Sequence, residues 1–453
     1  MLRVETASPA ASLYGSHVNP QWVRLLDVLR MNVQYTHCLG AELHLSDGSK
    51  LLDFLSGYCV HNTGHNHPRI VRAIKEELDR TGPAMLQSHV PELAGELAGR
   101  LCGLARGRLN KVFFCSSGSE GVEAAIKFAR AHTRRAALLS AQGAFHGLTC
   151  GALSLMGDSF WSEGFGPLLR GAESVPFGSL QTLEEKLASG RFAAFIVEPV
   201  QGEGGIRVPD PEYLQAAQTL CRRHGSLLVL DEVQTGLYRT GRFLAAHHFR
   251  LDPDIVVLAK ALSGGLIPSG AVLMSDAVYH SVYSSLKRAI VHTSTYSENS
   301  LAMRAGLATL DVLERERLGD RAAEAGEELR RRLRGMIGRY EMVKEIRGLG
   351  LLSGIEFQAP RQLRLRVPFE AFQKIHPGMF GQVMVMGLFR RGVLTQVCGN
   401  NFLVLKVAPP LVIDDAEIEE FLFAIEQLVE AMHSSSSGFW SEPLGIARRV
   451  LNL

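Results

Sequence analysis

The chain carries almost no net charge: 453 residues hold 48 Lys and Arg against 46 Asp and Glu, a formal balance of +2. Nothing in that balance favours a nucleic-acid partner or an acidic surface. No run of about 18 apolar residues occurs. The opening stretch "MLRVETASPAASLYGSH" has no apolar core of the signal-peptide kind. A soluble, cytoplasmic protein without an integral membrane segment is the expectation. The seven cysteines are odd in number, scattered, and never in a C-x-x-C pair, which argues against a disulfide framework or a zinc knuckle and fits a reducing compartment. There is no internal repeat. H-E-x-x-H, G-x-S-x-G and the P-loop are all missing, and "GLGLLSG" at 348–354 has the wrong glycine spacing for a dinucleotide fingerprint.

What the chain does have is a series of short, nearly continuous apolar runs: "KVFFC" (111–115), "AALLS" (136–140), "FAAFIV" (192–197), "LLVL" (227–230), "IVVLA" (255–259) and "GAVLM" (270–274). Runs buried on both faces and alternating with helix-like segments predict an α/β fold with a mostly parallel sheet flanked by helices. Four of them end at polar chemistry. "KVFFC" leads into "SSGSEGVEAAIKFARAH", "FAAFIV" into "EPVQGEGG", "LLVL" into "DEVQTG", and "IVVLA" into Lys260 and "ALSGG". Parallel strands bring their C-terminal ends to one edge, where open α/β sheets bind ligands.

Each segment has a plain reading beside a sharper one. Val122, Ala125, Ile126 and Ala129 recur at helical spacing, so Gly118 and Ser119 stand at a helix N-terminus that suits a phosphate, or is simply well capped. Lys260 follows an apolar run, where burial lowers an amine pKa towards the neutral nucleophile; it is otherwise a strand-end lysine paired with Asp231. Asp231 and Glu232 end a buried strand on two carboxylates, which demands partners. An anion site, an amine for a carbonyl and an acid on a neighbouring strand are together what pyridoxal phosphate (PLP) requires, with Asp231 keeping the pyridine nitrogen protonated.

The segments "LLVLDEVQTGLYRTGRFLAAHH", "PDIVVLAKALSGGLIPSGAVLMS", "CSSGSEGVEAAIKFAR", "AFHGLTCGALS", "EPVQGEGGIRVP" and "HTSTYSENSLA" together resemble the class III aminotransferases. This is a PLP-dependent family of fold type I that includes the ornithine, acetylornithine, GABA and putrescine enzymes. The resemblance runs from about Tyr14 to Met432. It implies that Lys260 carries the cofactor as a Schiff base and later shuttles a proton, and that Asp231 pairs with the pyridinium. It places Gln234 near the phenolic oxygen, Val233 and Phe145 on the two ring faces, His146 beside the cofactor, and Gly118 and Ser119 on the phosphate. Thr295 would reach the phosphate bound to the other subunit, so a homodimer with shared active sites is implied. Glu198 and Glu203 match glutamates that order the cleft. The implied reaction is a ping-pong amino transfer from an amine donor to a carbonyl acceptor; a PLP mutase or decarboxylase of the same fold is the alternative.

Two departures bear on the substrate. Relatives acting on ω-amino acids carry an arginine after the "F-H/W-G" turn, where this chain has Leu148, and leucine cannot clamp a carboxylate. The family's second arginine falls at Lys406, which keeps the charge and loses the fork. With Tyr58 shaping the pocket, these predict a diamine, a polyol aldehyde or another uncharged carbonyl compound rather than a carboxylated ω-amino acid. The N-terminal "YGSHVNPQWVRLLDVL" is similar to the putrescine branch and to aminotransferases of hopanoid side-chain assembly. A hopanoid-type aldehyde would need an apolar entrance, to which Phe439 and Trp440 of the tail could contribute.

The cluster "HNTGHNHP" offers a rival reading, a metal hydrolase using His61, His65 and His67, although Asn, Gly and Pro around them mark a turn. The arginines of "EELRRRLRGMIGRY" alternate with Leu329, Leu333 and Met336 and predict the solvated face of a helix. "DDAEIEEFLFAIEQLVEAMH" predicts a late amphipathic helix capped by Asp414. The expected organisation is an N-terminal segment 1–65 that joins a C-terminal small domain 319–453, with a large PLP-binding domain at 66–318 between them.

Overall fold

The computed structural model describes residues 9–86, 88–157, 159–434 and 440. Its strands, in chain order, are β1 (Tyr35–Leu39), β2 (Glu42–Leu45), β3 (Lys50–Asp53), β4 (Leu109–Cys115), β5 (Ala137–Ala141), β6 (Ala172–Val175), β7 (Phe192–Val197) and β8 (Leu227–Asp231). They continue with β9 (Ile255–Leu258), β10 (Gly270–Ser275), β11 (Val343–Leu349), β12 (Leu352–Phe357), β13 (Val393–Leu394), β14 (Gln396–Cys398) and β15 (Asn401–Val407).

The central sheet has the order β4-β10-β9-β8-β7-β5-β6. Every residue of β5, β7, β8 and β9 is buried, as the continuous apolar runs predict. The neighbours from β9 to β6 are parallel, whereas β10 is antiparallel to both β4 and β9. The reason is length: 259–269 is shorter than the dozen or more residues a parallel crossover needs. Consequently β10 begins where its neighbours end, and Gly270 pairs with Cys115. The edge strand β6 has no counterpart among the apolar runs, because "AESV" is only partly buried.

The helix Gly118–Thr133 buries Val122, Ala125, Ile126 and Ala129, the stripe expected of it. Its first turn is fixed reciprocally: Ser117 Oγ accepts from the Glu120 amide (3.2 Å), and Glu120 Oε2 accepts from the Ser116 amide (2.6 Å). The late helix Asp415–His433 starts on Asp414 with a full capping box. In the helix Leu318–Ile337, Leu329 and Leu333 are buried and most arginines pair outwards. Arg330 departs from the expected solvated face: it is buried, donating to Gly350 O (2.5 Å) and Ser353 Oγ (3.1 Å).

Two smaller sheets flank this body, β1-β2-β3-β13 and β11-β12-β15-β14. The segment after β3 is unusual. Ser56, Gly57, Tyr58 and Cys59 have φ of 47°, 60°, 61° and 70°, one left-handed turn that costs on the order of 1–2 kcal/mol per non-glycine residue. Trp440 lies against Phe372 and Phe380, with ring centroids 5.8 and 6.4 Å away, and not at an entrance to the cavity described below. Phe439 and residues 441–453 fall outside the described residues.

Candidate functional site

A cavity of about 440 Å³ opens at the C-terminal edge of the central sheet. Lys260 and Asp231 line it, together with Gly118, Ser119, Phe145 and His146. Val233, Gln234 and Glu198 also line it. Segments that are far apart in sequence meet because β4, β7, β8 and β9 all end at this edge.

Lys260 opens the short 3-10 turn that follows β9, with a left-handed φ of 46°. Such a conformation in a non-glycine residue is a local strain that the surroundings must hold. Its ammonium makes no hydrogen bond or ion pair with a described residue, so the strand-end pairing with Asp231 does not occur. Burial, the largest influence, pulls its pKa below the ordinary lysine value, in the direction of a free amine.

Asp231 meets a histidine from its own chain. His146 Nδ1 lies 2.8 Å from Asp231 Oδ2, and Asp231 Oδ1 accepts from the Val233 amide at 3.1 Å. Burial opposes charge on His146, yet the hydrogen bond and charge of Asp231, with Glu198 beyond, raise its pKa overall. Glu198 accepts from the amides of Phe145 (3.0 Å) and Gly202 (2.8 Å); burial, the largest influence, pushes it up to about 7. Glu232 has a separate, structural task. It accepts from the amides of Ala245 and Ala246 and from Thr235 Oγ1, each at 2.7 Å, and so starts the turn Ala245–His247.

The glycines set the approach distances. A Cβ on Gly118 would lie 3.0 Å from Val233 Cγ2, and one on Gly147 would lie 2.2 Å from Ser119 Oγ. Phe145 is fixed from behind by Trp161, edge-on at 5.3 Å. Trp161 Nε1 donates to Asn400 Oδ1 (2.6 Å), and Asn400 Nδ2 donates back to Ala144 O (3.0 Å).

The substrate-side residues form a second group beside the cavity. Lys406 and Glu203 are an ion pair, Gln234 Nε2 donates to Glu203 Oε1 (3.1 Å), Lys406 Nζ donates to Gln234 Oε1 (3.3 Å), and the Gly399 amide reaches Glu203 Oε2 (2.7 Å). The Tyr58 ring lies 5.2 Å from Lys406 Nζ. Burial works against both charges, but each partner holds the other ionised: Glu203 below the carboxylate range and Lys406 above the lysine range. Leu148 is exposed, bonded through its amide to Ser119 Oγ (3.3 Å). Thr295 sits in an exposed turn before the helix Ser300–Arg315 and does not line the cavity of its own chain.

The histidine cluster does not converge. His61 stacks on His65 at 3.9 Å, His65 Nε2 meets Asp53 Oδ2 at 2.7 Å, and His67 caps the helix Pro68–Asp79 while facing Glu316. Among the described residues no group of His, Cys, Asp or Glu is arranged to hold a metal. Sequence reasoning missed Ser269, which reaches the cavity only because β10 runs against its neighbours, and Arg239, whose buried acceptors lie far from it in the chain.

The residues fit PLP. His146 Nε2 and Ser269 Oγ are buried without a partner among the described residues, and the Gly118 and Ser119 amides, first in their helix, have no intrahelical acceptor. Lys260 is uncommitted, and a buried acid stands on the neighbouring strand.

Known proteins agree with this reading. The model of the family described as aminotransferase class-III matches residues 27–429. Aminotransferase PigE of a Serratia species is 34% identical over 452 residues, covering 92% of this chain and 53% of that protein, so the chain spans about half the length of this curated relative. An (S)-enantioselective ω-transaminase from Thermomicrobium roseum superposes with a TM-score of 0.83 at 30% identity, over 95% of this chain and 100% of its own. An amine transaminase from an uncultivated Pseudomonas, solved in its PLP-bound form, gives 0.79 at 30% identity over 94% and 98%. The chain belongs to the class III aminotransferases, a family that depends on PLP.

Proposed function

We propose that this chain is a PLP-dependent aminotransferase that takes nitrogen from an amine donor and passes it to a carbonyl acceptor in two half-reactions. The observation that carries the reading is the meeting in one cavity of an uncommitted Lys260, the buried Asp231 and the helix start at Gly118. When bound, the cofactor supplies an aldehyde for amines and a protonated ring that draws electrons from the adjoining carbon. Lys260 Nζ is the amine for that aldehyde; once displaced by substrate, it takes a proton from one carbon and returns it to the next. Asp231, held by His146, keeps a negative charge at the ring nitrogen. The Gly118 and Ser119 amides hold the phosphate, Phe145 and Val233 bound the ring, and Gln234 orients its oxygen.

The substrate side points away from ω-amino acids with a free carboxylate. Leu148 offers no cation, and Lys406 is already committed to Glu203. A diamine or another amine without a distal carboxylate suits these groups. We further propose a homodimer in which Thr295 reaches the phosphate of a second copy. Exposed apolar residues such as Leu286 (96%), Ile290 (80%) and Val90 (84%) support a covered face. We propose 66–318 as the large domain, with 1–65 and 319–453 joined as the small domain. The seven unpaired cysteines support a cytoplasmic location, and no described helix is long and apolar enough to cross a membrane.

The test is a donor screen. Purified holoprotein mixed with diamines and amino acids should lose its cofactor absorbance near that of the aldehyde form and gain that of the amine form. No conversion with any donor would remove the proposal.

A further inference from the structure

The left-handed turn Ser56–Cys59 contains only one glycine, Gly57, so something must hold its other three residues in a conformation they resist. Locally, Asp53 Oδ1 accepts from the amides of Leu55 (2.8 Å) and Ser56 (2.7 Å). The Val60 and His61 amides then converge on Ser56 O at 2.8 and 3.0 Å. Beyond the turn, Ser56 Oγ donates to Ala408 O (2.8 Å) and accepts from Arg239 Nη2 (3.2 Å).

Arg239 is fully buried, and no described carboxylate lies within ion-pair distance of it. Its guanidinium is spent on neutral acceptors: Asn62 Oδ1 (2.6 Å from Nη2, 3.2 Å from Nε), Leu351 O (3.0 Å) and Pro409 O (2.5 Å). Burying a charge without a counter-charge is costly, and the fork geometry is what makes five directed bonds available to offset it. One side chain therefore ties together the turn at 56–62, the β11–β12 connection and the segment after β15. It does so from the loop that also carries Val233 and Gln234 at the cavity.

The turn delivers Tyr58 to Lys406. Its ring stands over the ammonium that bonds Glu203 and Gln234, so the place of Tyr58 depends on a backbone that Ser56 and Arg239 constrain. We propose that Arg239 is a positioning residue: acting through Ser56, it holds the left-handed turn that keeps Tyr58 over Lys406 and thereby shapes the substrate side of the cavity. This rests on the aminotransferase reading of the same site, and nothing in it requires Arg239 to touch substrate.

Three variants and two measurements test it. Amine-dependent bleaching of the wild type scores the aminotransferase reading by itself. In that assay Ser56→Ala and Arg239→Lys should each raise the donor KM, by roughly tenfold, with kcat and the pH titration of the cofactor absorbance little changed. Combined with Tyr58→Ala, they should add almost nothing further, because they act through that ring. Full additivity with Tyr58→Ala, or a parallel loss of kcat and cofactor affinity, would overturn the proposal. Should Arg239→Lys fail to fold, Ser56→Ala removes one hydroxyl only and completes the cycle alone. Independently of turnover, hydrogen exchange at the Val60 and His61 amides should quicken in Ser56→Ala; unchanged exchange there counts equally against it.

Discussion

His146 Nδ1 and Asp231 Oδ2 lie 2.8 Å apart with both side chains buried. A carboxylate at the end of a buried strand is thereby hydrogen-bonded by a neighbour while still lining the cavity. On the proposed reading, Asp231→Ala removes the acid that would meet the ring nitrogen, and it takes away the partner of His146 Nδ1. A fall of about 10²-fold or more in the amine half-reaction is expected, read as the rate of cofactor bleaching. His146→Asn, which can still donate a hydrogen bond, should cost markedly less; equal losses would show that the histidine does more than hold the acid.

Lys260 has no partner among the described residues, so Lys260→Ala should fold with little change in melting temperature. Turnover should fall below detection while PLP remains bound without a covalent link, measured by dialysis and by cofactor fluorescence. Turnover close to that of the wild type would end the assignment of Lys260.

For the Glu203–Lys406 pair the imbalance matters more than the bond. Lys406→Met leaves a buried carboxylate without its cation, and a loss of about 3–5 kcal/mol in urea unfolding is expected. Glu203→Gln added to Lys406→Met should recover much of it, since the lone charge is gone. A single variant as stable as the parent would contradict the burial argument.

Leu148 is exposed, so Leu148→Arg should alter stability by no more than about 0.5 kcal/mol. It supplies a bidentate cation next to Gly147, which lines the cavity. The ratio of KM values for a diamine and for ornithine should move towards ornithine. An unchanged ratio would separate donor choice from this position.

His61 gives a pH signature. Burial, the largest influence, and then the field of His65 push its pKa down to about 4, so it is neutral in the fold, whereas the unfolded chain protonates it near 6.5. Between those values the unfolded state binds more protons, and stability falls as pH drops from about 6.5 towards 4. The effect is at most about 3 kcal/mol. His61→Phe, which keeps the stack on His65, should flatten that slope in urea unfolding measured at pH 7 and pH 5.

Much of the fold was legible because burial on both faces leaves a composition that no other environment favours. All six apolar runs are strands with bounds within two residues of those expected, and the helix at Asp415 is capped by Asp414 as its sequence implies. The edge strand β6 was not legible, since one partly exposed side admits polar residues. Arg330 reads as a surface arginine, because a charge run does not reveal which member finds two buried acceptors.

The amino-acid sequence by itself determined the element types, the edge at which chemistry collects and the candidates Lys260, Asp231 and Gly118 that line one cavity there. These follow from local pattern, spacing and residue chemistry. Only the tertiary structure decided that His146 holds Asp231, that Lys406 is bound to Glu203, that β10 turns back to bring Ser269 to the cavity, and that Arg239 ties three segments beneath Tyr58. Each of these depends on side chains tens to hundreds of residues apart. Their pairing is set by how the layers pack, a global geometry that no short stretch of sequence encodes.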